Sequence, residues 1–256
     1  SGTTRDTIDT TFEDEDGQKY LFVDTAGLRR TGKRGRSIEY WSSVRTETAI
    51  ERADVCILLI DALEGATHQD LAIAGQIIEA GKGLIIGVNK FDLAREKSRQ
   101  EDETDERELG DVKMWGQELD DIKKNYMGYL ASRMPFCTWA PVVFFSAKTT
   151  KGIHTLFPSI KGIHEERQKR ISTSELNRFV PEVYHGHVAP SVGTKFGKMK
   201  YASQVATSPP KFVFYVNNEQ AFHFSYRRYI ENRLREKYGF HGTPLRIEMK
   251  DAKKKK

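Results

Sequence analysis

Two continuous apolar runs, residues 55–62 and 84–88, constrain this chain more than any other feature. Each has the length of a strand and neither alternates with polar residues, so both faces of each strand must be covered. Between them, Leu71, Ile73, Ala74, Ile77 and Ile78 recur at helical spacing through residues 68–82, and Gly81 ends the run. A strand, a helix and a second buried strand make the repeating unit of a parallel sheet. The alternation continues with a predicted helix over 115–130, a strand over 141–145 and a helix over 153–168. Upstream, residues 9–16 and 20–25 read as a hairpin turning at Asp16 and Gly17. Residues 1–170 are therefore expected to form an α/β, doubly wound sheet. Residues 96–111, about half acidic and nearly devoid of apolar side chains, predict a solvated excursion from it.

The pattern changes near residue 171. Ser172 and Glu175 make a capping box that opens a helix through Leu176, Phe179 and Val180. Residues 185–197 are rich in Gly and Pro and are expected to be a loop. Met199, Tyr201 and Val205 are expected on one face of a strand, and a second strand covers 212–216 after a turn at Pro209 and Pro210. Tyr226, Ile230, Leu234 and Tyr238 form a helical stripe that Gly239 can terminate. Leu245, Ile247 and Met249 alternate in a last strand. Residues 171–256 thus read as a compact α+β unit of order α-β-β-α-β.

Charge divides the chain at the same place. Residues 1–170 carry a net −4 and residues 171–256 a net +9, which together give the overall +5. A basic excess confined to one small unit predicts a polyanionic partner, nucleic acid above all, with a solubilising surface as the alternative. No apolar run is long enough to span a membrane, and no leader sequence is visible, so no membrane partner is expected. The two cysteines, Cys56 and Cys137, lack neighbours at metal-ligand spacing. Cys56 lies within the first apolar run as a small hydrophobe, and a reducing, cytoplasmic setting fits.

Three polar clusters each close a predicted strand. Asn89, Lys90, Phe91 and Asp92 follow the run 84–88 directly. Here the Asp92 carboxylate can accept hydrogen bonds from N1–H and the 2-amino group of guanine, whereas adenine presents an acceptor that leaves the carboxylate unpaired. A site of this kind discriminates by about 10⁴-fold or more. Asn89 would brace the neighbouring loops, and the stem of Lys90 would cover one face of the base. Asp24, Thr25, Ala26 and Gly27 close the strand before them, and Leu28 follows. Asp24 can hold Mg²⁺ through water, and Gly27 can bring its N–H to a γ-phosphate; a ligand-free strand-to-turn Asp and Gly is the alternative. Ser146, Ala147 and Lys148 close the strand 141–145, with N–H groups that can meet the guanine 6-oxo group. Open α/β sheets bind ligands at the carboxyl ends of their strands, where all three clusters fall.

With Gly2, Thr3, Thr4, Arg5 and Asp6 at the start, these clusters resemble the TrmE–Era–EngA–Septin class of GTPases. The C-terminal strings 170–178, 201–205, 209–210, 212–217, 223–229 and 239–244 resemble the KH-like domain of the Der (EngA) family within it. The resemblance covers nearly the whole chain apart from 96–111 and the lysine tail. It implies a ribosome-assembly GTPase using GTP and GDP, with Mg²⁺ held by Thr4 and Asp24 and K⁺ in the intact protein. Its implied partners are the large ribosomal subunit with its rRNA and, within one chain, a first G domain. Residues 1–170 would be a second G domain on a truncated P-loop NTPase-type sheet, and residues 171–256 a KH-like domain.

No G-x-x-x-x-G-K-[ST] string occurs in these 256 residues. That string supplies the N–H cradle and the lysine for the phosphates, so its absence predicts weakened nucleotide binding and unpaired strand edges in this chain alone. Leu28 stands where Ras-like enzymes carry a water-orienting Gln, so no catalytic residue is assigned. Arg29, Arg30, Lys33, Arg34 and Arg36 form a basic stretch that either reaches RNA or is simply solvated. Gly239 and Gly242 have the letters of a G-x-x-G clamp but sit between a helix and a strand, where a helix stop is expected. Arg228 and Arg235 share a helix face and are the candidates for RNA phosphates, unless that face docks on the G domain. A nucleotide-independent RNA- or ribosome-binding module is the competing function, and a tRNA-modification GTPase a remoter one.

Overall fold

The computed structural model describes residues 9–14, 16–23, 46–94, 119–187, 191–192 and 195–252. Strands β1 (Thr10–Glu13) and β2 (Lys19–Phe22) pair antiparallel as a hairpin. Phe12 and Tyr20 of the hairpin pack on Phe157, with ring centroids 4.9 and 5.4 Å from it. A helix runs through 46–52. Strands β3 (Val55–Asp61), β4 (Gly83–Asn89) and β5 (Val142–Phe144) form a parallel sheet in that order.

Helices α1 (His68–Glu79) and α2 (Leu119–Arg133) cover one face of this sheet. There Leu84, Ile86 and Val88 meet Ala74, Ile77, Ile122 and Tyr126 in a buried cluster. Helix α3 (Leu156–Gln168) covers the other face, where Ile85 and Val143 pack with Ile163. Alternate residues of β4 thus enter different cores, which is why its sequence is apolar throughout. The expected doubly wound arrangement is present. The hairpin, however, shares no ladder with β3, and the outer edge of β3 has no strand partner among the described residues.

The second core lies beyond residue 170. Helix α4 (Thr173–Gly186) starts from Ser172, whose hydroxyl accepts the Glu175 N–H while the Glu175 carboxylate accepts the Ser172 N–H. The capping box read in the sequence is there. Residues 185–197 are not wholly loop: α4 continues to Gly186, and β6 (Ser191–Val192) pairs with β7 (Lys195–Phe196). Strands β8 (Met199–Ala206), β9 (Lys211–Val216) and β10 (Arg246–Asp251) form a sheet with β9 central, β8 antiparallel to it and β10 parallel. Helices α4 and α5 (Phe224–Tyr238) bury Leu176, Phe179, Tyr226, Ile230 and Leu234 against Phe212, Phe214 and Met249.

One expectation for this sheet fails. Register shifts between Met199 and Tyr201, so the strand bulges at Lys200. Met199 points into the core while Tyr201 and Val205 are exposed. The sequence pattern treated all three as one face because it has no sign of the extra residue. Among the described residues no helix is long and apolar enough to cross a membrane.

Candidate functional site

The carboxyl end of β4 carries the first cluster, and its geometry is built by one side chain. Asn89 Oδ1 accepts from the Lys90 N–H at 2.8 Å and from the Ala147 N–H at 2.9 Å. It therefore ties the loop after β4 to the loop after β5, as a brace should. Lys90 takes a positive φ of 60°, which swings the chain sharply after the strand. Its ammonium lies 2.5 Å from Asp61 Oδ2 at the end of β3. Burial alone would raise the Asp61 carboxyl, but Lys90 and the Leu63 N–H outweigh it and hold the group below its ordinary range.

Phe91 anchors the same loop. It is buried, its ring lies 4.6 Å from that of Phe144, and its N–H donates to the Phe145 carbonyl at 3.2 Å. Asp92 follows at half-buried depth and its carboxylate makes no hydrogen bond to a described residue. An anchored loop carrying an uncommitted carboxylate can accept a pair of donors without rearranging. On the facing loop, buried Ser146 accepts from the Thr149 N–H at 3.2 Å, and its own N–H reaches the Lys151 carbonyl at 3.0 Å. The Ala147 N–H is committed to Asn89, whereas the N–H of Lys148 makes no hydrogen bond to a described residue. The structure thus brings 89–92 and 146–148 together. Thr4, Asp24, Thr25, Ala26, Gly27 and Leu28, and the basic stretch from Arg29 to Arg36, lie outside the described residues. Among the described residues no cluster of three His, Cys, Asp or Glu side chains can hold a metal. Burial pushes the Cys56 and Cys137 thiols up to about 11, so neither is a ready nucleophile.

The two arginines singled out on α5 have different surroundings. Arg228 is exposed. Arg235 is not available to phosphate, contrary to expectation. Its guanidinium donates to Glu231 at 2.8 Å and to the carbonyls of Phe240 and Thr243 at 2.6 and 3.0 Å, and its side chain is only 12% exposed. It also stacks over Trp139, 4.7 Å from the ring centre, and so touches the N-terminal unit. Sequence reasoning placed Arg235 on an outer helix face, but the chain after Gly239 folds back over that face.

That returning turn joins the two units. The Gly242 N–H donates to the Trp139 carbonyl at 3.0 Å, and its carbonyl accepts the Leu84 N–H of β4 at 2.8 Å. Gly242 has φ +68°, and Ile163 occupies the space a Cβ would need. The G-x-x-G letters therefore form an interdomain latch, in which both backbone groups of Gly242 and those of Phe240 are taken. Nearby, buried Arg167 donates to the Gly81 carbonyl at 2.7 Å while its own carbonyl accepts the Ser208 N–H at 2.9 Å. Arg246 of β10 reaches the carbonyls of Ile78 and Glu79, a favourable place for a cation at the C-terminus of α1. Trp139, Arg167 and Arg246 were missed because their partners lie far away in sequence.

Comparison with known proteins was made against this geometry. Residues 1–90 match the family described as 50S ribosome-binding GTPase. Residues 170–250 match the family described as the C-terminal KH-domain-like region of EngA bacterial GTPase enzymes. GTPase Der of Caldanaerobacter subterraneus subsp. tengcongensis is 41% identical over 249 residues, which is 97% of this chain and 52% of that protein. GTPase Der of Ruminiclostridium cellulolyticum is 42% identical over 246 residues, 96% of this chain and 51% of that protein. The chain thus spans about half the length of the curated relatives it matches. An Aquifex aeolicus Era structure bound to GDP.AlF4- shows 17% identity over 97% of this chain and 81% of that one, with a TM-score of 0.46.

Proposed function

Because the chain belongs to the GTPase Der (EngA) family, we propose that residues 89–92 and 146–148 form the base-reading half of a guanine-nucleotide site. The Asn89 bridge between the two loops carries this reading. With that bridge in place, Asp92 would accept from N1–H and the 2-amino group of guanine, and Lys148 N–H would donate to the 6-oxo group. The exposed stem of Lys90, steered by Asp61, would lie along the ring.

In the whole protein the proposed activity is hydrolysis of GTP to GDP and phosphate. Asp24, Thr25, Ala26, Gly27 and Leu28 would face the phosphates. Thr4 and Asp24 are the residues proposed to hold Mg²⁺, which neutralises phosphate charge when bound, and K⁺ is proposed as a further ion there. The domain limits proposed are 1–170 for the G domain and 171–256 for the KH-like domain. The proposed setting is cytoplasmic assembly of the large ribosomal subunit through its rRNA. Two features support it: the 50S ribosome named in the description of the family matched by residues 1–90, and the +9 charge of residues 171–256.

Saturation-transfer NMR of this chain with guanosine and adenosine diphosphates tests the base site at any affinity. Transfer to the guanine ring alone is expected, lost in Asp92→Ala. Equal transfer to both bases would sink the proposal.

A further inference from the structure

The long helices α4 and α5 both pack on one face of the C-terminal sheet, and among the described residues no helix of that unit covers the other face. The registers of β8, β9 and β10 set its residues in rows across the three strands. One row is Tyr201, Tyr215 and Lys250; the next is Ser203, Val213 and Glu248; the third is Ala206, Lys211 and Arg246. In the first row the Tyr201 and Tyr215 rings stack with centroids 4.3 Å apart and planes 20° from parallel. Tyr201 is 43% exposed, so the stack has an open end. The bulge in β8 adds exposed Lys200, the chain neighbour of Tyr201.

The charge of this face is one-sided. Lys200, Lys211, Arg246 and Lys250 stand against one acid, Glu248, among the described outward positions. Lys211 and Lys250 flank that acid at 2.9 and 3.2 Å. The third row is bounded by the N-terminal unit, where Arg246 reaches the end of α1. Ligand access is therefore from the Tyr201 and Lys250 side.

We infer that the Tyr201–Tyr215 stack, flanked by Lys200 and Lys250, is a platform on which unpaired bases of single-stranded RNA stack. Flat aromatic faces accept any base through π-contact, and the surrounding cations follow the phosphates. Val213 in the second row is only 2% exposed, so the open part of the face is its Tyr201 end. What the face offers is the open end of a ring stack and positive charge, which suits a base and its phosphate. The clamp letters at 239–242 are used in the latch, whereas this face keeps exposed aromatic and basic groups. The inference rests on the reading that the C-terminal unit binds RNA.

The test is fluorescence anisotropy of the full chain with a labelled single-stranded oligouridine about ten nucleotides long. Tyr201→Leu is expected to weaken binding about 10-fold or more, while Tyr201→Phe, which keeps the ring, stays within about twofold of the unaltered chain. The urea midpoints of both variants serve as the check on folding. Photocrosslinking the unaltered chain to the same oligonucleotide carrying 4-thiouridine needs no variant, and an adduct on Tyr201 or Tyr215 is expected. Unchanged affinity in Tyr201→Leu, or adducts confined to other elements, would overturn the platform while leaving RNA binding intact. Binding of duplex but not single-stranded RNA would do the same. Failure of the unaltered chain to bind any RNA would overturn the RNA reading along with the platform.

Discussion

The two sheets of this molecule differ in how completely they close on themselves. The C-terminal sheet is three strands with two long helices on one face, and among the described residues its core of phenylalanines, Tyr226, Leu176 and Ile230 is drawn from residues 171–249. The N-terminal sheet has helices on both faces, yet among the described residues the edge of β3 is bare and the hairpin pairs only with itself. Its β4 strand completes a hydrogen bond with Gly242 of the other unit, and its Gly81 turn is held by Arg167 and packed on Pro209. One unit is self-sufficient, and the other is held partly from outside. A latch between such units should therefore stabilise them unequally.

Gly242→Val is the strongest way to break this asymmetry. A β-branched residue at φ +68° facing Ile163 is expected to cost about 3 kcal/mol, from backbone strain and overpacking together. In amide hydrogen exchange, β3, β4 and β5 should lose protection while β9 and α5 keep theirs. Equal loss in both would show that the chain unfolds as one cooperative unit and that the contrast between the sheets is wrong.

Arg235→Ala sharpens the comparison by removing a tie and leaving the turn's backbone in place. Three acceptors and the Trp139 ring lose the guanidinium. An expected loss of about 2 kcal/mol follows from charged hydrogen bonds and the cation–π contact, read as the urea unfolding midpoint. Arg235→Lys should not restore it, because one ammonium cannot reach three acceptors in a fixed fork.

Asp61→Asn should have the smallest effect. The pair with Lys90 is partly solvated, with Lys90 54% exposed, so screening limits it to about 0.5 kcal/mol. The sign is set by the lowered carboxyl. The stabilisation is present above the ordinary carboxylate range and is lost as pH falls through the lowered native value. Acid titration of the unaltered chain should therefore show a small extra loss that the Asn variant lacks. A larger loss in the variant would mean Asp61 supports more than Lys90.

Much of this was legible from the sequence because periodicity reports which face is covered. The continuous run at 84–88 announced a strand buried on both sides, and the capping box at Ser172 marked the start of α4; the run at 55–62 is a strand too, but Leu59 on one of its faces is 58% exposed. Of the proposed site, the link between its loops was legible: Asn89 was read as a brace from its position, and it does bond both loops. What the sequence could not show depends on partners distant along the chain. Arg235 reads as a surface cation until the returning turn covers it. Met199 and Tyr201 read as neighbours on one face because a one-residue bulge changes register without changing composition. The G-x-x-G letters carried no sign that their backbone groups would be taken by β4 and Trp139.

The latch and the loop braced by Asn89 sit at opposite ends of one strand. Leu84 near the start of β4 holds Gly242, and Asn89 at its end holds Ala147. Five residue rises of about 3.3 Å separate them, or about 17 Å. That length is set by covalent geometry rather than by packing, so β4 acts as a ruler between the two units. Substitutions can slacken either end of it, but none of them can alter the span.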